Sequence, residues 1–334
     1  MSEPRSQSDS NGAASAPAWP ALPLESWRET KDTLHRWLQI VGKVRLALAP
    51  MENHWWQVPL YVNARGLTTS AMPYGDGVVE ARFDFLDHVL VLETNARGAR
   101  RIALEPRSVA DFYRDVQSSL QSLGVRARLW PHPTEIADEV IPFTEDTLHH
   151  SYDADAAQRC WRVMLDVDRV LHAFRGRFVG KCSPVHVWWG GFDIACTRFS
   201  GRRAPLHPGG IPNCPDRVAR EGYSHECISA GWWPGGGGLE DAAFYAYAYP
   251  EPTGYAETAI EPTGAFYDRT LREFILPYEV VRTSERPDEL LLRFLHSTYA
   301  AGADLAQWDR AALERPPGPD PRLAETAGRK ARHP

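Results

Sequence analysis

Histidines are the residues best suited to chemistry in this 334-residue chain, and two of them recur in similar surroundings. His54 lies in NHWWQVPLYV and His186 in SPVHVWWGGFDIAC, each beside a tryptophan pair. An imidazole with proton affinity near neutrality can serve as general acid, general base or ligand for a divalent metal. Strand side chains alternate between faces, and a slip of one residue exchanges those faces. Aligning His54 with His186 also pairs Trp56 with Trp188, Leu60 with Phe192 and Val62 with Ile194, which keeps the apolar faces in phase. Matching Trp55 to Trp188 breaks that alternation. The preferred register makes the two histidines equivalent points of two halves, on one tryptophan-bearing face. The competing structural role is a core histidine bonded to backbone.

YSHEC adds His225 and Glu226, flanked by Ser224 and Cys227. His186, His225 and Glu226 form the candidate catalytic set, although adjacent strand residues face opposite ways unless the backbone turns. The same three residues are a conceivable two-histidine, one-carboxylate iron or zinc site, but no HxD, HExxH or CxxC spacing supports it. Metal and cofactor therefore stay open. Cys182 lies four residues before His186 in KCSPVH, with Lys181 beside it. Pro184 argues against a helix that would bring that thiol to the imidazole, so a buried or loop cysteine is expected. Candidate ligand-binding residues are His54, Trp56, Trp188, Arg198, His207 and Tyr247. Arg198 belongs to a basic cluster with Lys181, Arg202 and Arg203 suited to a carboxylate or phosphate. His207 sits in an HPGG turn. Tyr245, Tyr247 and Tyr249 alternate with alanines, so one strand face is a stripe of phenols, which suggests a partly wet aromatic cavity. Gly235 to Gly238 follow Trp232 and Trp233 and suggest a mobile lid.

These residues need elements to hold them. After Ser26, a plausible N-cap, Trp27, Leu34, Trp37, Leu38 and Val41 mark a helix face, and Ala156 to Phe174 repeats the pattern behind Asp153. VVEARFDFLDHVLVLET and RRIALEP are strand-like and precede a helix capped by Ser108 and ended by Gly124. FYAYAYPEP and REFILPYEVVR precede a helix beginning near Pro287. The expected fold class is α+β: two repeated halves, each helix, antiparallel strands, helix, packed as one body. Residues 21–145 and 146–314 are the halves, RARLWPHPTEIADEVIPF is the crossing segment, and 1–20 and 315–334 are disordered tails.

Composition narrows the function. Lys and Arg total 37 against 43 Asp and Glu, which disfavours nucleic acid. No apolar run reaches the roughly 18 residues that span a bilayer, so no membrane partner is expected. Five cysteines with no CxxC pair fit reduced thiols in a cytoplasmic protein. NHWWQVPLYVNARGLTTS, GKCSPVHVWWGGFDIACTRFSGRRAP and YSHECISAGWWPGGGG resemble a family of bacterial proteins known only as a domain of unknown function. The resemblance implies domain limits and no activity, cofactor or catalytic residue. The expectation is an enzyme using histidine acid/base chemistry on a small, partly apolar substrate in an aromatic cavity. A non-catalytic ligand-binding or sensor protein, or an interaction scaffold displaying its tryptophans, is the alternative. Nothing in the sequence sets an oligomeric state.

Overall fold

The computed structural model describes residues 19–137 and 140–315, so most of the two expected tails lies outside the described residues. The packed body starts earlier than expected. Trp19, assigned to the tail, is buried, with its backbone N–H donating to Asp166 and its indole N–H to Asp288. One large indole removes enough apolar surface from water to order the chain around it.

The chain begins with helix α1 (Arg28–Leu48), then strands β1 (Tyr61–Asn63), β2 (Gly66–Thr68), β3 (Met72–Tyr74), β4 (Gly77–Asp84), β5 (Val89–Thr94) and β6 (Gly98–Ala103), then α2 (Val109–Ser122). Ser26 does not cap α1: it ends a short 3-10 turn, and Trp27 occupies the N-cap without a side-chain bond. Ser108 does cap α2, accepting from the Asp111 N–H, and Gly124 leaves the helix at φ 76°. The second half runs α3 (Ala154–Gly176), β7 (His186–Trp188), β8 (Asp193–Arg203), α4 (Asp216–Gly222), β9 (His225–Trp233), β10 (Ala243–Tyr249), β11 (Phe266–Asp268), β12 (Glu273–Pro277), α5 (Tyr278–Arg282), α6 (Pro287–Leu305) and α7 (Arg310–Leu313). Asp153 caps α3, and Pro287 opens α6. The YEVVR stretch, expected to continue a strand, forms α5.

The result is a mixed α+β fold with two antiparallel six-stranded sheets, ordered β1-β2-β4-β5-β6 with β3 on β4, and β11-β12-β10-β9-β8-β7. A pair of backbone bonds between Leu60 and Val187 joins the two edges next to β1 and β7. α1 and α2 cover the first sheet, where the Trp37 and Phe112 rings stack at 4.6 Å. α3 and α6 cover one face of the second sheet, and a single apolar core runs through both halves. Gly42 of α1 lets Trp189 lie flat on the helix and donate to the Val58 carbonyl; a Cβ there would stand 2.3 Å from the indole. Among the described residues no helix is long and apolar enough to cross a membrane.

Candidate functional site

On the face of the second sheet opposite α3 and α6, alternation dictates which side chains are displayed, and most of them are buried. His186, Ala195, Gly231, Tyr245 and Ile275 are consecutive cross-strand partners, so they form one row across that face. Trp188 and Asp193 face each other one step along, and Tyr247 and Glu273 lie one step to the other side. A small apolar cluster of Ala195, Ala243, Tyr245 and Ile275, flanked by Trp188, Trp233 and Tyr247, covers its middle.

Phenols cross this face as a chain. The Tyr245 hydroxyl donates to Asp193 Oδ2 at 2.5 Å, its ring stacks with Tyr247, and the Tyr247 and Tyr223 hydroxyls are 2.8 Å apart. Tyr223 in turn stacks on His207 at 4.7 Å. Gly231 makes this possible: a Cβ there would lie 2.6 Å from the Tyr245 hydroxyl.

A third carboxylate arrives from the crossing segment. Glu135 is held by its N–H to the Pro212 carbonyl, while Gln39 and Lys43 of α1 bond Thr134 beside it. Its carboxylate rests on Gly190 and Gly191. A Cβ on Gly191 would meet Asp193 Oδ1 at 2.8 Å and Glu135 Oε2 at 3.8 Å, so the two acids share the space above the glycine pair.

Burial pushes Asp193 up to about 6, against the opposing bond from Tyr245. Burial and then the charge of Asp193 push Glu273 up to about 8, and the same two causes raise Glu135, although that residue keeps much of its surface exposed. Burial lowers Lys43 to about 8. No ion pair neutralises Asp193 or Glu273 among the described residues, and Lys43 is the one cation acting on Glu135. Such acids exchange protons near neutral pH, as general acid/base groups must.

The structure redistributes the sequence candidates. His54 is not on a strand; it occupies a 3-10 turn with φ 57°, where its N–H donates to Glu221. Its Nδ1 faces the Gly222 carbonyl at 2.9 Å and must carry the proton, leaving Nε2 to accept from Lys181 Nζ at 2.6 Å. Lys181 lies over the Trp56 and Phe199 rings, and burial lowers both His54 and Lys181. His225 meets His54, with ring centroids 5.8 Å apart, and not His186. Glu226 faces the opposite way, bound to Ser200 and Arg202. His186, His225 and Glu226 therefore do not converge as a catalytic or metal set, and no group of three His, Cys, Asp or Glu among the described residues is arranged to hold a metal. Arg198 points into the helix-covered side of β8, away from the face bearing His186. Cys182 has Cys196 as its neighbour, with sulfurs 3.5 Å apart. Gly235 to Gly238 all have positive φ and form the turn between β9 and β10, after the fully buried Trp232. Trp189 and Trp232 are buried and Trp55, Trp56, Trp188 and Trp233 half-buried, so among the described residues none of these tryptophan pairs is displayed, and Trp130 is an exposed tryptophan outside them.

His186 is 1% exposed, and neither ring nitrogen has a hydrogen-bond partner among the described residues. Burial, reinforced by Arg45, lowers it to about 3, so the ring is neutral. His186→Phe should leave stability unchanged or raise it by about 1 kcal/mol, because an unpartnered polar group is removed without opening a cavity. Urea unfolding measures this; a loss above 1 kcal/mol would reveal a polar partner.

Residues 19–315 match one family model. The chain belongs to DUF5996, a family of unknown function. No curated protein and no solved structure matches it. For a DUF5996 member the guide to function is the arrangement of its own side chains. Those missed at the sequence level are Lys43, Glu135, Asp193 and Glu273. A signal existed for two of them: Asp193 in GGFDIAC and Glu273 in REFILP are acids next to apolar strand residues, where burial without a partner is costly.

Proposed function

We propose that the face of the second sheet opposite α3 and α6 holds a binding site for a small, partly apolar molecule carrying a basic nitrogen, with the acids of that face as proton donors and acceptors. The observation that carries this reading is the set of Glu135, Asp193 and Glu273 beside the phenols of Tyr223, Tyr245 and Tyr247, with Lys43 the one cation acting on Glu135 among the described residues. An ammonium group would lower the proton affinity of all three acids and gain attraction from the faces of Trp188, Trp233 and Tyr247. Asp193, with the lower proton affinity, is the base, and Glu273, still protonated at neutral pH, is the acid. This moves the acid/base role from the histidines to the carboxyls and keeps Tyr247 and Trp188 as ligand contacts. We also infer a duplication from the order of a long helix and six strands in each half, which superposition of the halves tests.

Thermal shift and native mass spectrometry with tyramine and tryptamine test the site. Their carboxylate counterparts, 4-hydroxyphenylacetate and indole-3-acetate, are the controls. The amines should raise Tm and the carboxylates should not, and the double variant Asp193→Asn, Glu273→Gln should lose the response. Equal responses to both classes, or an amine response that survives in the double variant, would overturn the proposal.

A further inference from the structure

A pocket of about 520 Å³ lies on the opposite side of the second sheet, where the end of α3, helix α6 and the segment through α7 meet. Its lining is basic: Arg177, Arg198, Arg293, Arg310 and Arg315 against Glu261 and Glu314. Glu314 is already engaged, accepting from Arg310 Nε at 2.5 Å. Arg177, Arg293 and Arg315 are exposed at the rim, and no side-chain ion pair holds any of them among the described residues.

Arg198 is the unusual member. It is 1% exposed, its guanidinium lies 3.5 Å from the Phe174 ring centroid and 4.3 Å from that of Tyr299, and one terminal nitrogen donates to the Phe174 carbonyl. Its Nε has no acceptor, and the carboxylate whose charge reaches it, Glu314, is already bonded to Arg310. Arginine does not shed its proton in proteins, so the buried charge persists. A buried guanidinium that must share its counter-charge with another arginine is costly unless something supplies a second anion. His296, on the same wall, is lowered to about 4 by burial and by Arg198 and Arg177, which fits a positive potential in the pocket.

We propose that this pocket binds a small oxyanion of two or more negative charges, a phosphate or pyrophosphate group, with Arg198 as the buried anchor and Arg177 and Arg293 as rim contacts. Planar guanidinium groups suit such oxygens through paired N–H donors. The site is separate from the amine site, which occupies the other face of the sheet, so either proposal can fail without the other.

The test is isothermal titration of the full chain with inorganic phosphate, pyrophosphate and glycerol 3-phosphate at matched ionic strength, with chloride as control. Binding of the phosphate probes is expected, with at least a tenfold loss in Arg198→Met and in the double variant Arg177→Ala, Arg293→Ala. Tighter binding of glycerol 3-phosphate than of the inorganic anions would assign the site to a phosphate ester, and the reverse to the free anion. The rim variant alters only exposed side chains, so it decides the matter if Arg198→Met does not fold. No binding by any phosphate probe, or binding undiminished in the rim variant, would overturn the proposal.

Discussion

Asp193→Asn should make the protein more stable at pH 8, by on the order of 3 kcal/mol, and leave it nearly unchanged at pH 4. Asp193 is raised from 3.8 to about 6 in the folded chain, and each unit is worth about 1.4 kcal/mol between protonation states. The folded state therefore holds this proton more tightly than the unfolded state does. The stability this contributes is fully present below about pH 4, falls as pH rises through about 6, and is absent above that. Asparagine still accepts from Tyr245 but carries no charge to desolvate, so only the charged wild type loses ground at high pH. Urea unfolding of both proteins at pH 4 and pH 8 reads the difference, because other titrating groups are common to the two. A variant less stable than wild type at pH 8 would show that Asp193 has a counter-charge in solution and would remove the basis for an unpaired acid. A stabilising loss of a carboxylate is the mark of a residue kept for function.

Gly231→Ala should act in the opposite sense, lowering stability by roughly 1–3 kcal/mol or more at every pH and abolishing any amine response. Gly231 lies in β9, between β8 and β10. A Cβ there would stand 2.4 Å from the Ile194 carbonyl oxygen of the adjacent strand and 2.6 Å from the Tyr245 hydroxyl. The hydroxyl can swing away, which would break its bond to Asp193; the carbonyl cannot, because it belongs to the sheet backbone. Tyr245→Phe provides the control. On its own it removes the bond to Asp193 without the backbone clash, so it should raise the proton affinity of Asp193 further and cost less than Gly231→Ala. Combined with Gly231→Ala it should rescue little. Full rescue would place the conflict at the phenol alone, and an unchanged Tm for Gly231→Ala would contradict the packing of Tyr245 across the strand.

Local features were legible in the sequence because their physics is local. Ser108 and Asp153 cap their helices, Gly124 ends α2 and Pro287 begins α6, each decided by groups within a few residues. The alternating tyrosines of β10 likewise announced a stripe of phenols on one strand face, which the buried Tyr245 and half-buried Tyr247 share. His225 and Glu226 diverge as adjacent strand residues do.

Tertiary structure decided which of these faces meet. Lys43, Glu135, Asp193 and Glu273 come from a helix, an irregular crossing segment and two strands, and no spacing along the chain connects them. Arg198, Arg202 and Arg203 are near neighbours in sequence, yet the register shift in β8 between Phe199 and Arg203 divides them: Arg198 enters the aromatic pocket and Arg202 binds Glu226. His54 and His186 share neighbours in sequence but not backbone, since a left-handed turn places His54 beside Lys181 while His186 closes a strand row with no polar partner. Caps, turns and strand alternation are set by energies acting within one element and are therefore written in the residues. Site composition depends on which distant elements bury one another's unpaired charges, and only the packed chain determines that.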